Sequence, residues 1–196
     1  MASKTTKSTK KTAAKKVAAK AAKTAQKPAR AGKTAKPAKA APKGALKPGD
    51  GAPAFALPDQ SGAIHKLADY KGRKLLVYFY PKADTPGCTV QSCSVRDARR
   101  DLGKQGVDVV GISPDKPAAQ QRFDAKYSLG FPLLADEDHA VATAFGVWGE
   151  KSMYGRKYMG IVRSAFLIDE RGKIAAVWYG VSPKDTVPGA FAALGA

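Results

Sequence analysis

Two stretches constrain the fold more than anything else in this chain: "KLLVYFYP" (Lys74–Pro81) and "VDVVGISP" (Val107–Pro114). Each is an apolar run rich in β-branched and aromatic residues, as expected of a strand buried on both faces. A sheet built from such strands needs a covering layer on each side, which implies a layered α/β domain. The punctuation around them supports that reading. "CTVQSCSVRDARRDLGKQG" is predicted to be helical, with Gly103 and Gly106 marking its end. "KPAAQQRFDAKYSLG" is predicted as a second helix, with Phe123 and Tyr127 four apart on one face.

The remaining segments are shorter. "APAFALPD" is extended, and "QSGAIHKLADYKG" reads as turn, short strand and turn. "FPLLAD" is extended and "EDHAVATAFGVWG" is read as a helix. "RSAFLIDERGKIAAVWYG" alternates across the turn "DERG" and predicts a β-hairpin. "SPKDTVPGAFAALGA" closes the chain as a helix with Pro188 in its first turn. Strand–helix alternation ending in a hairpin predicts a central mixed sheet flanked by helices. Thioredoxin-like folds use this order, although the pattern by itself does not select them.

Charge divides the chain in two. Of its 34 basic residues, 15 lie in residues 1–49, where there is no acidic residue. The other 19 share residues 50–196 with all 16 acidic residues, a net of +3. The first segment is Lys, Ala, Thr and Pro, with only Val17 and Leu46 as larger aliphatics. Such a composition buries too little apolar surface to offset ordering entropy, so residues 1–49 are expected to be a disordered basic tail and linker. Residues 50–196 are expected to be the folded domain. No apolar h-region of about 7–15 residues follows the basic start, and nothing approaches the ~20 apolar residues of a membrane span. Lys in place of Arg and repeated Lys-Pro fit a transit peptide poorly. Two cysteines without a signal peptide point to a reducing, cytoplasmic setting, where cysteine pairs are more often catalytic than structural.

Those cysteines, Cys88 and Cys93, form a C-x4-C in "DTPGCTVQSCS". On a helix, residues five apart are about 140° apart and roughly 8.6 Å between Cα atoms. A disulfide needs about 7 Å or less, so a permanent staple there is an odd design. A zinc site would need more soft ligands than the distant His65 and His139 supply. Inert buried thiols are the default for isolated cysteines. Against that default, Cys88 follows Pro-Gly at a predicted helix start, where unpaired amides and the positive end of the helix dipole favour a thiolate. The C-x4-C spacing also departs from the C-x-x-C of disulfide oxidoreductases. Taken alone, Pro81 and Thr85 are loop-shaping residues and Arg163 a strand-surface residue.

Together these residues resemble a known family. "FYPKADTPGCT" matches the P-x-x-x-T-x-x-C signature of peroxiredoxins at Pro81, Thr85 and Cys88. The second cysteine, with "GVDVVGISPDKP", "LLADEDHAVATAFGVWGEKS" and "GIVRSAFLIDERGKI", is similar to the Q-type, or bacterioferritin comigratory, branch. The resemblance runs from about Ala52 to Leu194 and implies a thioredoxin-like fold. It implies that Cys88 is the peroxidatic cysteine and Cys93 the resolving one. It further implies that Arg163 faces the thiolate, that Thr85 hydrogen-bonds thiolate and peroxide, and that Pro81 shields the pocket. Hydrogen peroxide and organic hydroperoxides are the implied substrates and thioredoxin or a similar dithiol protein the implied reductant. No metal or organic cofactor is called for, and a monomer is the implied state. Resolution would require the first helical turns to unwind in each cycle. Gly87 and the polar "TVQS" are expected to keep that inexpensive.

The tail lies outside the resemblance. Lys4, Lys7, Lys10, Lys11, Lys15, Lys16, Lys20 and Lys23 are candidate contacts to DNA phosphates, bound without base reading and consistent with nucleoid association. A solvated tail that adheres weakly to any polyanion is the plainer reading. The competing function class is a nucleoid-associated, nucleic-acid-binding protein on a thioredoxin-like scaffold.

Overall fold

The structure, a computed structural model, describes residues 44–153 and 156–195 of the 196-residue chain. The candidate DNA-contacting lysines lie outside the described residues. In chain order the first elements are β1 (Ala56–Pro58), β2 (Ile64–Lys66), a 3-10 turn (Leu67–Tyr70), β3 (Lys74–Phe79), α1 (Pro86–Lys104), β4 (Val107–Ser113) and α2 (Pro117–Tyr127). There follow β5 (Leu133–Ala135), α3 (Ala140–Ala144), β6 (Trp148–Met153), β7 (Arg156–Ile161), β8 (Ser164–Ile168), β9 (Ile174–Tyr179) and α4 (Thr186–Leu194).

The two apolar runs become β3 and β4, paired in parallel from Lys74↔Val107 to Phe79↔Ile112. Adding β5 parallel to β4, and the β8–β9 hairpin antiparallel to β3, gives the order β5-β4-β3-β8-β9. This is the mixed sheet expected. Side chains of β3 alternate between two cores. Leu75, Val77 and Phe79 pack with Phe55, Ile112, Phe145 and Phe166 on one face. Leu76, Tyr78 and Tyr80 pack on the other with Val95 and Leu102 of α1, Phe123 of α2 and Ala190 of α4. Full burial of side chains of this size stabilises the fold by about 1.5–3 kcal/mol each. The ring of Tyr78 crosses β4 at Gly111, where a Cβ would lie 2.7 Å from it. Glycine is needed there for that close approach.

Three features depart from the sequence reading. The helix expected across "EDHAVATAFGVWG" spans only Ala140–Ala144. Gly146 at φ +67 ends it, and the chain continues as a strand. That strand, β6, pairs antiparallel with β7 as a separate two-stranded ribbon that the sequence reading did not include. The linker expected to run to Gly49 is ordered before it ends. Ala45 and Leu46 pack against the first core, Leu46 N–H donates to the Tyr179 hydroxyl at 2.8 Å, and Gly49 N–H donates to the Ile174 carbonyl at 2.8 Å. Leu46, the larger aliphatic of that stretch, is the residue able to drive this docking. Among the described residues no helix is long and apolar enough to cross a membrane.

Candidate active site

The site is built where β3 ends and α1 begins. Thr85 caps α1 with extended backbone (φ −101, ψ 152), and Pro86 occupies the first helical position, where its missing N–H is no loss. Cys88 is the third residue of the helix and 1% exposed. The first intrahelical bond, Thr89 N–H to the Thr85 carbonyl at 2.8 Å, leaves the Gly87 and Cys88 amides ahead of the ladder. The thiol therefore sits at the positive end of a 19-residue helix.

Arg163 comes from the opposite direction. Phe79 pairs with Ser164, so the residue before β8 lies beside the chain leaving β3. Its Nη2 donates to Cys88 Sγ at 3.3 Å, and its Nη1 donates to Gln91 Oε1. Gln91 Nε2 donates in turn to Thr186 Oγ1 of α4 at 2.9 Å. Gln91 and Thr186 are fully buried. Gln91 thus fixes the guanidinium from one helical turn beyond the sulfur it serves. The sequence reading singled out neither residue. The available signal was spacing, since residues i and i+3 on a helix share a face. Gly87 completes the approach: a Cβ there would lie 3.2 Å from Arg163 Nη2 and 3.5 Å from Pro183 Cγ.

Pro81 and Thr85 are half-buried on the loop between Tyr80 and the helix. The expected hydroxyl–thiolate bond is not the one Thr85 makes. Its Oγ1 donates to the Lys82 carbonyl at 3.0 Å. With its single proton engaged, the hydroxyl has its lone pairs to offer, as an acceptor. The same loop is tied down by the Ala83 amide, which donates to Asp115 Oδ2 at 2.7 Å.

Cys93 is half-buried one and a half turns further along α1, and neither cysteine is in a disulfide. The polar "TVQS" between them is not a solvated strip. Gln91 and Ser92 are 0% exposed, and Ser92 Oγ shares a 2.8 Å hydrogen bond with the Tyr78 hydroxyl. Burial raises the Tyr78 pKa well above its ordinary value, so this partner is a neutral phenol. Unwinding this turn therefore breaks specific buried hydrogen bonds, contrary to the low cost expected from polarity alone. The polar residues are inward because the core offers them a phenol, a guanidinium and a threonine hydroxyl.

The two histidines make structural contacts. His65 bridges Asp59 Oδ2 through Nε2 and the Tyr70 hydroxyl through Nδ1, both at 3.0 Å. Burial pushes the Asp59 pKa up, but hydrogen bonds from Ser61, His65 and Ala63 together outweigh it and leave the pKa lowered. His139 lies against Trp148 with ring centroids 3.9 Å apart, and Trp178 covers Gly189.

A thiol at a helix start, with a guanidinium fixed against its sulfur, can attack an electrophilic oxygen. The AhpC/TSA family profile matches residues 48–177. The chain belongs to the AhpC/TSA family. Peroxiredoxin Bcp of Escherichia coli (strain K12) is 59% identical over 133 residues, 68% of this chain and 85% of that protein. Peroxiredoxin Q of Xanthomonas campestris shares the fold with a TM-score of 0.68 and 35% identity, over 72% of this chain and 89% of its own. The X. campestris bacterioferritin comigratory protein, studied for its alkyl peroxide reduction activity, gives 0.68 and 34%, over 72% of this chain and 90% of its own. This AhpC/TSA protein is thus a thioredoxin-fold peroxiredoxin of the Bcp and peroxiredoxin Q branch, and its activity is that of a peroxidase.

Proposed function

We propose that Cys88 reduces hydrogen peroxide and organic hydroperoxides, and that Cys93 resolves the product as an intramolecular disulfide. The observation that carries this reading is the Arg163 guanidinium 3.3 Å from Cys88 Sγ at the start of the helix that also holds Cys93. The Cys88 thiolate attacks one peroxide oxygen. The S–O bond forms as the O–O bond breaks, and the departing oxygen takes a proton to leave as water or an alcohol. Arg163 and the Gly87 and Cys88 amides are fixed donors for the charge that develops on the oxygens. The Thr85 lone pairs accept the peroxide hydrogen, and Pro81 limits water at the sulfur.

The resulting Cys88 sulfenic acid then condenses with the Cys93 thiol, forming the S–S bond and releasing water. A helix holds these Cα atoms roughly 8.6 Å apart, so condensation requires the turn between them to unwind. Thioredoxin or a similar dithiol protein returns both thiols and is itself oxidised. The test is peroxide-dependent NADPH oxidation coupled through thioredoxin and its reductase. Cys88→Ser abolishes turnover, and retained activity in that variant would sink the reading. Cys93→Ser completes one turnover and stalls.

The basic tail supports a second property, non-specific DNA binding by a monomeric cytoplasmic enzyme held at the nucleoid. Engagement of about six of its lysines implies an affinity that falls on the order of 10³-fold between about 50 and 200 mM salt. A gel shift comparing the full chain with one beginning at Gly44, which keeps Leu46 docked, tests this. Equal retardation of the two would exclude the tail as the binding element and favour the nucleic-acid-binding scaffold.

A further inference from the structure

The segment that must unwind is bounded on both sides by contacts to Tyr127. Asp84, four residues before Cys88, has φ 56, a left-handed conformation that Asp adopts more readily than most residues with a Cβ. Its carboxylate accepts Lys126 Nζ at 2.9 Å through both oxygens and the Tyr127 hydroxyl at 2.8 Å. Three residues after Cys93, Arg96 Nη1 donates to the Tyr127 backbone carbonyl at 2.6 Å. The end of α2 therefore grips the chain on both sides of residues 85–95, and both cysteines lie between the grips. The grip has a firm root. The Tyr127 ring packs edge-on against Phe123 at 5.4 Å, and Phe123, 1% exposed, packs against Tyr80 at 6.1 Å.

We propose that Asp84, Lys126 and Tyr127 form a clasp that holds the helical, peroxide-reactive form of α1 and sets how often it opens. They are positioning residues, acting on Cys88 and Cys93 through the chain between them. The inference rests on the Cys88–Cys93 reading. Three hydrogen bonds fix the Asp84 side chain against the end of α2, so releasing them frees the loop and favours the unwound form. The clasp is exposed, so its influence is modest and tunable.

Its consequence is a partition. While α1 stays helical, the Cys88 sulfenic acid can meet a second hydroperoxide, which oxidises it to sulfinic acid and leaves as water or an alcohol. Once the turn unwinds, Cys93 captures the sulfenic acid first. A tighter clasp therefore favours overoxidation, and a looser one favours the disulfide.

The test compares the full chain with Asp84→Asn and Tyr127→Phe. Intact mass after peroxide titration distinguishes the disulfide (a loss of about 2 Da) from the sulfinic acid (a gain of about 32 Da). Amide exchange over residues 88–95 is followed in the reduced proteins. In both variants the peroxide concentration that half-converts Cys88 to sulfinic acid is expected to rise about two- to five-fold, with exchange accelerating by a similar factor and Tm nearly unchanged. Unchanged exchange and partition, or sulfinic acid at lower peroxide, would overturn the clasp. If the wild-type chain formed no Cys88–Cys93 disulfide, the resolving reading would fall, and the exchange rates alone would judge the clasp.

Discussion

β3 and the buried face of the first half of α1 are built from opposite materials. β3 inserts Leu75, Leu76, Val77, Tyr78 and Phe79, all 0–1% exposed, into two apolar cores. The first half of α1 buries Cys88, Gln91, Ser92 and Val95, and beside the apolar packing of Val95 it makes directed bonds to Arg163, Thr186 and Tyr78. Apolar burial scales with area and is lost wholesale when a strand moves. Hydrogen bonds can be broken singly, with water as a replacement partner, and their net worth is about 0.5–1.5 kcal/mol each. A strand held by apolar burial thus presents the site, while under the proposed mechanism the helix holding Cys88 and Cys93 opens and closes.

The contrast makes each region fail in its own way. Phe79→Ala in β3 should cost about 3–5 kcal/mol of stability in denaturant unfolding, with little change in rate per folded molecule. A large loss of rate in folded protein would break the division. Arg163→Met should slow the first peroxide step on the order of 10²–10³-fold, read by stopped flow, and, by stranding the buried Gln91 Oε1, lower stability by about 1–3 kcal/mol. Gln91→Leu leaves Arg163 and Thr186 without their buried partner. It should raise the barrier of the same step and lower stability, each by about 1–3 kcal/mol. The smallest effect concerns pH. Hydrogen bonds from Lys126 and Tyr127 lower the Asp84 pKa from 3.8, so its contribution to the closed form is present above that value and lost as pH falls below it. Amide exchange over residues 88–95 should therefore accelerate, beyond its intrinsic pH dependence, only below about pH 4. Asp84→Asn should remove that step.

Local pattern carried much of this protein. The apolar runs of β3 and β4, the glycines around the end of α1 and the "DERG" hairpin are visible because burial and turn chemistry act on neighbours in sequence. Pro81, Thr85 and Cys88 were singled out by a spaced motif and Arg163 by the family resemblance, and the fold places all four near the end of β3. The β6–β7 ribbon went unread because "GEKSMYGRKYMG" mixes Lys, Gly and Met without sustained alternation. Gln91, Ser92 and Thr186 look like surface positions until Tyr78 and Arg163 are known to face them. The Thr85 bond to the Lys82 carbonyl and the grip of Tyr127 on Asp84 likewise depend on backbone path and tertiary approach, which composition does not carry.

The central claim is that a helix start held by hydrogen bonds opens once per cycle to join Cys88 to Cys93. The most direct measurement is intact-mass and peptide analysis of the reduced chain after one equivalent of peroxide. The account predicts a loss of about 2 Da and a single Cys88–Cys93 cross-link within one chain. A persistent Cys88 sulfenic acid with Cys93 still a thiol, or a disulfide between two chains, would contradict it.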